Sequence, residues 1–382
     1  MRRLLRLTML SFSCTILLMM VGALRGQLAE RRQLVADAAR SATPVVHEQP
    51  VLASHVAASV AGLSSLDSKA LGFFEMRVMS RDDQPDSETP LEPLILPWSP
   101  PSWFPEEQTE ALHAVDHISD SPDGLGPSLG LRSKAVFVYD LEAGTTLLSR
   151  NADDRRPVAS LTKVISALTV ASESPDLDRE LCLDTSTRPS WPGAVSRLRT
   201  GTCTTGWDLL GAALVRSDNG AAIALSQVAG LPHYPFIDRM NVVAAELGMD
   251  QSTFSDPSGV EDDNLSTARD MTRAVVAASL HPTVHPVASA PYWDLTDSTR
   301  GRTKRLFTTN KLVQRSGTEI LAAKTGYTDT ARHCFTAVFR LRDGRKVAMT
   351  VLGGFWSRHR WSDVRKILAW IERGAPGAGE RA

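Results

Sequence analysis

Short β-rich runs open and close the stretch from about Leu131 to Gly374, helical patterns fill its middle, and tight-turn signals join the terminal strands. Together these predict an α+β domain: an antiparallel sheet packed with helices. At the front, "KAVFVYD" (134–140) and "TTLLSR" (145–150) flank "LEAG", which fits a hairpin with a glycine-containing loop. Next, "PVASLTKVISALTV" (157–170) places Leu161, Val164, Ile165 and Leu168 at i, i+3, i+4 and i+7, one apolar helical face. "TTGWDLLGAALVRSDNGAAIALSQVAG" (204–230) reads as two helical pieces broken at Ser217-Asp218-Asn219-Gly220, and Thr205 with Asp208 makes a capping-box-like start. Toward the end, "ILAAKTGYT" reads as a strand. "HCFTAVFRLRDGRKVAMTVLGG" reads as two strands turned at Asp343-Gly344, and "WSDVRKILAWIERG" as a helix. No internal repeat is present.

The chain outside this stretch differs in kind. Residues 1–26, "MRRLLRLTMLSFSCTILLMMVGALRG", set three arginines before an apolar run, the order of a secretory signal or an uncleaved N-terminal membrane anchor. A buried core helix is the other reading. Residues 27–130 contain the proline-, serine- and acid-rich "RDDQPDSETPLEPLILPWSPPSWFPEE" and are expected to be a largely disordered linker, with one short helix in "LAERRQLVADAARSA". The globular domain is expected to span 131–374, with a flexible tail at 375–382.

The formal net charge of −1 argues against a nucleic-acid partner. Of four cysteines, Cys14 lies in the apolar run. Cys182 and Cys203 flank a loop-like stretch and, in an exported chain, either pair as a disulfide or remain small hydrophobes. Cys334 is then a free, buried thiol. The nine histidines show no metal spacing, and no cofactor is implied.

Lysine is scarce: eight of the forty-two basic residues. Lys163 nevertheless sits three positions after Ser160 on an apolar helix, so the two share a face. A serine hydroxyl is a weak nucleophile until a base takes its proton. A buried lysine can be that base because burial penalises its charged form, whereas arginine keeps its proton. Alone, S-x-x-K is a common pairing. Ser217-Asp218-Asn219 alone is a turn or cap, and Lys324-Thr325-Gly326 alone is the end of an edge strand. The three in this order, each in a fitting local context, are specific, and they are the motif set of the penicillin-interacting serine enzymes.

On these motifs, and on "RRPVASLTKVISAL", "FSDPSGVEDDNLSTARDM", "TNKLV" and "AAKTGYTDTARHCF", residues 131–374 resemble the low-molecular-weight penicillin-binding proteins. These are the D-alanyl-D-alanine carboxypeptidase family of serine peptidases, family S11. The resemblance implies a β-lactamase/transpeptidase-like fold with an all-helical subdomain. It implies a periplasmic or otherwise extracytoplasmic enzyme acting on peptidoglycan stem peptides, inhibited covalently by β-lactams. It gives Ser160 as nucleophile, Lys163 as base, Ser217 as proton relay and Asn219 as the group orienting Lys163 or the substrate amide. Lys324 and Thr325 would hold the substrate's terminal carboxylate, Gly326 would allow close approach, and the backbone N–H groups of Ser160 and Tyr327 would form the oxyanion hole. Asp256, Pro257, Ser258 and Gly259 are expected to shape a loop below the site, Asn310 to be a structural cap and His333 a packing residue. Arg332-His333 stands where the family usually has glycine, which puts the local strand geometry in question.

Two other readings remain at this stage. A class A-like β-lactamase would need a glutamate-activated water, and no E-x-x-x-N context lies between the second and third motifs. A non-catalytic wall-binding protein of the same fold would not need intact Ser160, Lys163, Ser217 and Lys324. Carboxypeptidase and D,D-endopeptidase are both open, the short C-terminus resembling the endopeptidase branch.

Overall fold

A computed structural model describes residues 99–113, 118, 122–188, 195–312 and 318–374. The expected leader or anchor, most of the expected linker, and the tail lie outside the described residues. Among the described residues no helix is long and apolar enough to cross a membrane.

The fold begins before the expected boundary at 131. Helix α1 (Glu106–Leu112) buries Leu112 completely, and Phe104 before it is 4% exposed. Phe104 packs edge-on against His281, and the Trp103 indole N–H donates to Glu246. A seven-residue helix does not persist alone in water. Burial of two such apolar side chains, about 1.5–3 kcal/mol each, holds this one in place. The proline-rich composition concealed these anchors.

The hairpin β1 (Ala135–Asp140) and β2 (Thr145–Arg150) comes next, as expected. The two-residue strand β3 (Arg156–Pro157) leads into a single 3₁₀ turn, Ala159–Leu161, and helix α2 (Thr162–Ser172). The sequence suggested one apolar face for α2, but the helix is enclosed on all sides. Its polar side chains are satisfied locally: Thr162 Oγ1 donates to Ala159 O, Thr169 Oγ1 to Ile165 O and Ser166 Oγ to Pro257 O.

Strands β4 (Glu180–Cys182) and β5 (Cys203–Thr205) pair antiparallel and are joined by the Cys182–Cys203 disulfide. Helices α3 (Gly206–Leu214), α4 (Asn219–Val228) and α5 (His233–Glu246) follow. Only half of the expected capping box forms. Thr205 Oγ1 accepts from Asp208 N, but the Asp208 carboxylate turns outward to Thr204 Oγ1, the Trp293 indole and Thr296 N. It thereby ties α3 to the later hairpin. The chain continues through β6 (Leu265–Ser266), α6 (Ala268–Leu280), α7 (His285–Ala288) and the hairpin β7 (Tyr292–Asp297) and β8 (Arg302–Phe307). It ends in β9 (Glu319–Thr328), β10 (Arg332–Arg340), β11 (Lys346–Gly354) and helix α8 (Ser357–Glu372).

The main sheet runs β2-β1-β11-β10-β9, antiparallel throughout. Along β1, Phe137 and Tyr139 face one core and Val136 and Val138 the other, the period-two alternation of a strand. Both faces are covered, so β1 is fully buried and reads as an unbroken apolar run. One core lies between the sheet and the helices α2 to α6, and the other beneath α8 through Trp361, Val364, Ile367 and Ile371. Strand β9 forms the sheet edge beside α2.

Candidate active site

The site lies where the start of α2, the α3–α4 break and edge strand β9 converge. Ser160 occupies the 3₁₀ turn ahead of α2, one turn before Lys163. Lys163 is fully buried, and its Nζ reaches three oxygens: Ser160 Oγ at 3.0 Å, Asn219 Oδ1 at 2.9 Å and the Ser258 carbonyl. Burial pushes its pKa down to about 8, while the carboxylates of Asp256 and Asp218 pull the other way. A neutral amine keeps two N–H donors and one lone pair. Asn219 Oδ1 and the Ser258 carbonyl can only accept, so they occupy the two donors. The lone pair then faces the Ser160 hydroxyl, the arrangement a general base needs.

The break between α3 and α4 places Ser217 and Asn219 on opposite sides of Asp218. Asp218 caps α4, its Oδ1 accepting from Ala221 N at 3.0 Å, and it also accepts from Ser196 Oγ and Arg197 N. Ser217 has φ 62°, the left-handed region that serine rarely adopts. In that pose its Oγ accepts from Lys324 Nζ at 2.7 Å. Ala159, with φ 51°, carries the same strain just before Ser160.

On β9, Lys324 is 1% exposed. Its pKa lies well below the usual value, lowered first by burial and then by the positive charges of Lys163 and Arg360. Thr325 Oγ1 sits 2.6 Å from Thr309 Oγ1. Gly326 passes so close to the Ser160 turn that a Cβ there would stand 2.7 Å from Val158 O and 3.3 Å from Ser160 N. Tyr327 points its ring to solvent, 50% exposed.

The loop expected to shape the floor does so through Asp256. Its carboxylate accepts from Ser258 N and Oγ, Gly259 N, Glu261 N and Asn264 Nδ2. This folds the loop back and delivers the Ser258 carbonyl to Lys163. Gly259 has φ +74°, and a Cβ on it would meet Ala159 O at 2.1 Å. Asn310 is a local cap whose Oδ1 accepts from Leu312 N. His333 stacks on the Tyr327 ring with centroids 4.4 Å apart. Arg332 takes φ 60°, a conformation at home in glycine, so the backbone keeps the turn geometry despite the side chain.

The structure therefore brings Ser160, Lys163, Ser217, Asn219, Lys324 and Thr325 together as two hydrogen-bonded sets, Lys163 with Ser160 and Asn219 and Lys324 with Ser217 and the Thr325 carbonyl, with Gly326 and Tyr327 alongside. Arg360 on α8 was not foreseen. It is 7% exposed, and its Nη1 donates to the carbonyls of Gly326 (3.1 Å) and Cys334 (2.8 Å). Burial lowers its pKa to about 10. The signal available was an arginine on the helix face otherwise built from Val364, Ile367 and Ile371. Glu180, Cys182 and Cys203 lie within ligand reach of one another, but the two thiols are joined in the disulfide and offer no thiolate to a metal.

Comparison with known proteins gives the family. The family model described as D-alanyl-D-alanine carboxypeptidase, peptidase family S11, matches residues 124–355. A D-alanyl-D-alanine endopeptidase of Escherichia coli is 32% identical over 249 residues, 64% of this chain and 78% of that protein. One from Pseudomonas aeruginosa is 32% identical over 273 residues, 69% of this chain and 86% of that protein. The cefotaxime-bound form of a penicillin-binding protein from Listeria monocytogenes superposes with a TM-score of 0.55 at 32% identity, covering 64% of this chain and 98% of that one. The fold is thus that of the penicillin-binding D,D-peptidases, and the chain belongs to the D-alanyl-D-alanine carboxypeptidase family, S11.

Proposed function

We propose that the chain is a serine D,D-peptidase that cleaves D-Ala-D-Ala-type bonds in peptidoglycan stem peptides through an acyl-enzyme on Ser160. The observation that carries this reading is the Lys163 amine, buried, lowered to about 8 and 3.0 Å from Ser160 Oγ. Lys163 takes the hydroxyl proton as Ser160 Oγ bonds to the scissile carbonyl carbon. The carbonyl oxygen becomes an oxyanion between the backbone N–H groups of Ser160 and Tyr327, donors worth roughly 10²–10³ in rate each. The C–N bond then breaks as the leaving amine takes a proton from Ser217, which recovers one from the Lys163 ammonium, so that both side chains return to their neutral starting forms. Because Lys324 donates to the Ser217 oxygen, the hydroxyl hydrogen is left to point at that amine. Lys324 and Thr325 hold the substrate's terminal carboxylate, whose charge offsets the unfavourable surroundings of Lys324. Water attacks the ester in the second half, with Lys163 again accepting a proton.

Of the two cleavages we favour the crosslink. The relatives at 32% identity in Escherichia coli and Pseudomonas aeruginosa carry the endopeptidase name. A β-lactamase activity is disfavoured because the two carboxylates whose charge reaches Lys163, Asp218 and Asp256, are committed to backbone and side-chain donors. We further propose that the chain works outside the cytoplasm, tethered through residues 1–26. The disulfide supports an oxidising compartment. Fractionation of tagged full-length protein tests this, and a wholly soluble mature form would refute the tether.

Labelled penicillin is expected to form a covalent adduct with the wild type and none with Ser160→Ala. A folded wild type that forms no adduct would end the proposal. Mass analysis of muropeptides after digestion separates loss of one alanine from loss of crosslinks.

A further inference from the structure

Arg360 is a buried cation with no acid paired to it. It sits in the first turn of α8, 7% exposed, and among the described residues it forms no salt bridge. Its Nη1 donates to Gly326 O at 3.1 Å and Cys334 O at 2.8 Å, and its Nε finds no partner among the described residues. A buried charge ordinarily has a counter-ion, because taking it out of water is costly. Here the positive charge is directed instead at two peptide carbonyls.

One of those carbonyls has a particular place. Gly326 C=O belongs to the same peptide unit as the Tyr327 N–H. That peptide is trans, so its C=O and N–H point in opposite directions. Gly326 is paired with Cys334 across β9 and β10, and Arg360 bonds the carbonyls of both, so Gly326 C=O is turned toward β10. The Tyr327 N–H is therefore turned the other way, to the open edge of β9. The Ser160 turn stands against this strand, a Cβ on Gly326 falling 3.3 Å from Ser160 N. A guanidinium on a carbonyl oxygen draws electron density through the amide, and the N–H at its far end becomes a stronger donor. It also fixes the tilt of the peptide plane, and with it the aim of that N–H.

We propose that Arg360 is a positioning residue for the oxyanion hole, polarising and aiming the Gly326–Tyr327 peptide so that the Tyr327 N–H meets the charge that develops on the scissile carbonyl oxygen. The inference rests on the D,D-peptidase reading above. It gives Arg360 a part in the rate of acylation and leaves the terminal carboxylate to Lys324 and Thr325.

The test compares wild type with Arg360→Gln, which keeps a neutral donor, and Arg360→Lys, which keeps the charge and guards against mere failure to fold. Penicillin acylation is resolved into noncovalent binding and the bond-forming step, and cleavage is followed on a peptide ending in D-Ala-D-Ala and on its C-terminal amide. Arg360→Gln is expected to slow the bond-forming step about tenfold, a fraction of the roughly 10²–10³ that a lost oxyanion donor costs, with noncovalent binding within about twofold of wild type. The same factor is expected on the peptide and on its amide, and Arg360→Lys is expected to recover part of it. The infrared stretch of the isotopically labelled acyl-enzyme carbonyl is expected at higher frequency in Arg360→Gln, since a weaker donor polarises it less; a purely structural arginine would leave it in place. A folded Arg360→Gln with an unchanged bond-forming rate, or an unmoved carbonyl stretch, would overturn the proposal. So would a loss confined to the free carboxylate and carried by KM, which would set Arg360 beside Lys324 as a carboxylate ligand. Wild type that neither cleaves peptide nor reacts with penicillin would instead sink the D,D-peptidase reading.

Discussion

The helical wall and the sheet wall of the active site each bury one lysine, and the two are treated in opposite ways. Lys163 sits among oxygens within the field of Asp218 and Asp256, which resists the effect of burial and holds it near pH 8. Lys324 faces Lys163 and Arg360, which add to the effect of burial. The first is an amine that can lose and regain a proton under ordinary conditions, as the proposed base must. The second is an amine whose charged form its surroundings disfavour until an anion arrives. The walls also differ in construction. Residues 324–327 are consecutive on one strand, whereas Ser160, Lys163, Ser217 and Asn219 come from separate helix starts and depend on left-handed residues at 159 and 217.

The comparison breaks most visibly at Lys163. Lys163→Ala is expected to slow penicillin acylation by roughly 10²–10⁴, and Lys163→Arg by a similar factor, since arginine keeps its proton. An arginine variant of near wild-type rate would remove the base from the mechanism. On the other wall, Lys324→Ala is expected to cost about 10²–10³ on substrates with a terminal carboxylate. The loss is expected to shrink on an amidated analogue, and equal losses on both would show that Lys324 does not read that charge. Gly326→Ala presses a methyl group on the Val158 carbonyl and moves the walls apart; a fall of roughly tenfold in acylation is expected from displacements of this kind.

Smaller effects sharpen the contrast. Removing the disulfide with Cys182→Ser and Cys203→Ser is expected to lower stability by about 3 kcal/mol, read as a drop in denaturation midpoint. It also loosens the loop whose Ser196 and Arg197 hold Asp218. Of similar size is the pH dependence. The folded pKa of Lys163 is lowered to about 8 from an ordinary 10.5. Between these values the unfolded chain binds the extra proton, so stability rises with pH across that window, by at most about 1.4 kcal/mol per pH unit from this group. Lys163→Met is expected to flatten that rise. In the free wild-type enzyme, kcat/KM is expected to climb through about pH 8 as the amine becomes neutral.

Much of the site was legible because the chemistry demands particular residue types at short spacings: serine with lysine one turn on, a broken helix, and a lysine and glycine on an edge strand. The strands of the main sheet and helix α8 were legible from periodicity. What stayed hidden was tertiary. Arg360 belongs to no local motif, and its partners lie on two strands earlier in the chain. The Ser258 carbonyl contributes backbone, which leaves no mark in side-chain identity. The β7–β8 hairpin is mostly exposed, with Leu295 and Leu306 as its buried apolar pair, too sparse a pattern to announce a strand. Asp208 left its expected cap because the tertiary donors of Trp293 and Thr296 offered better company.

The central sheet places β1, its earliest strand, against β11, its latest. During synthesis the nascent polypeptide therefore cannot complete this sheet until Gly354 has emerged, nearly two hundred residues after Ser160 has been made. Truncation short of that final strand removes the partner of β1, and such forms are expected to lack penicillin acylation.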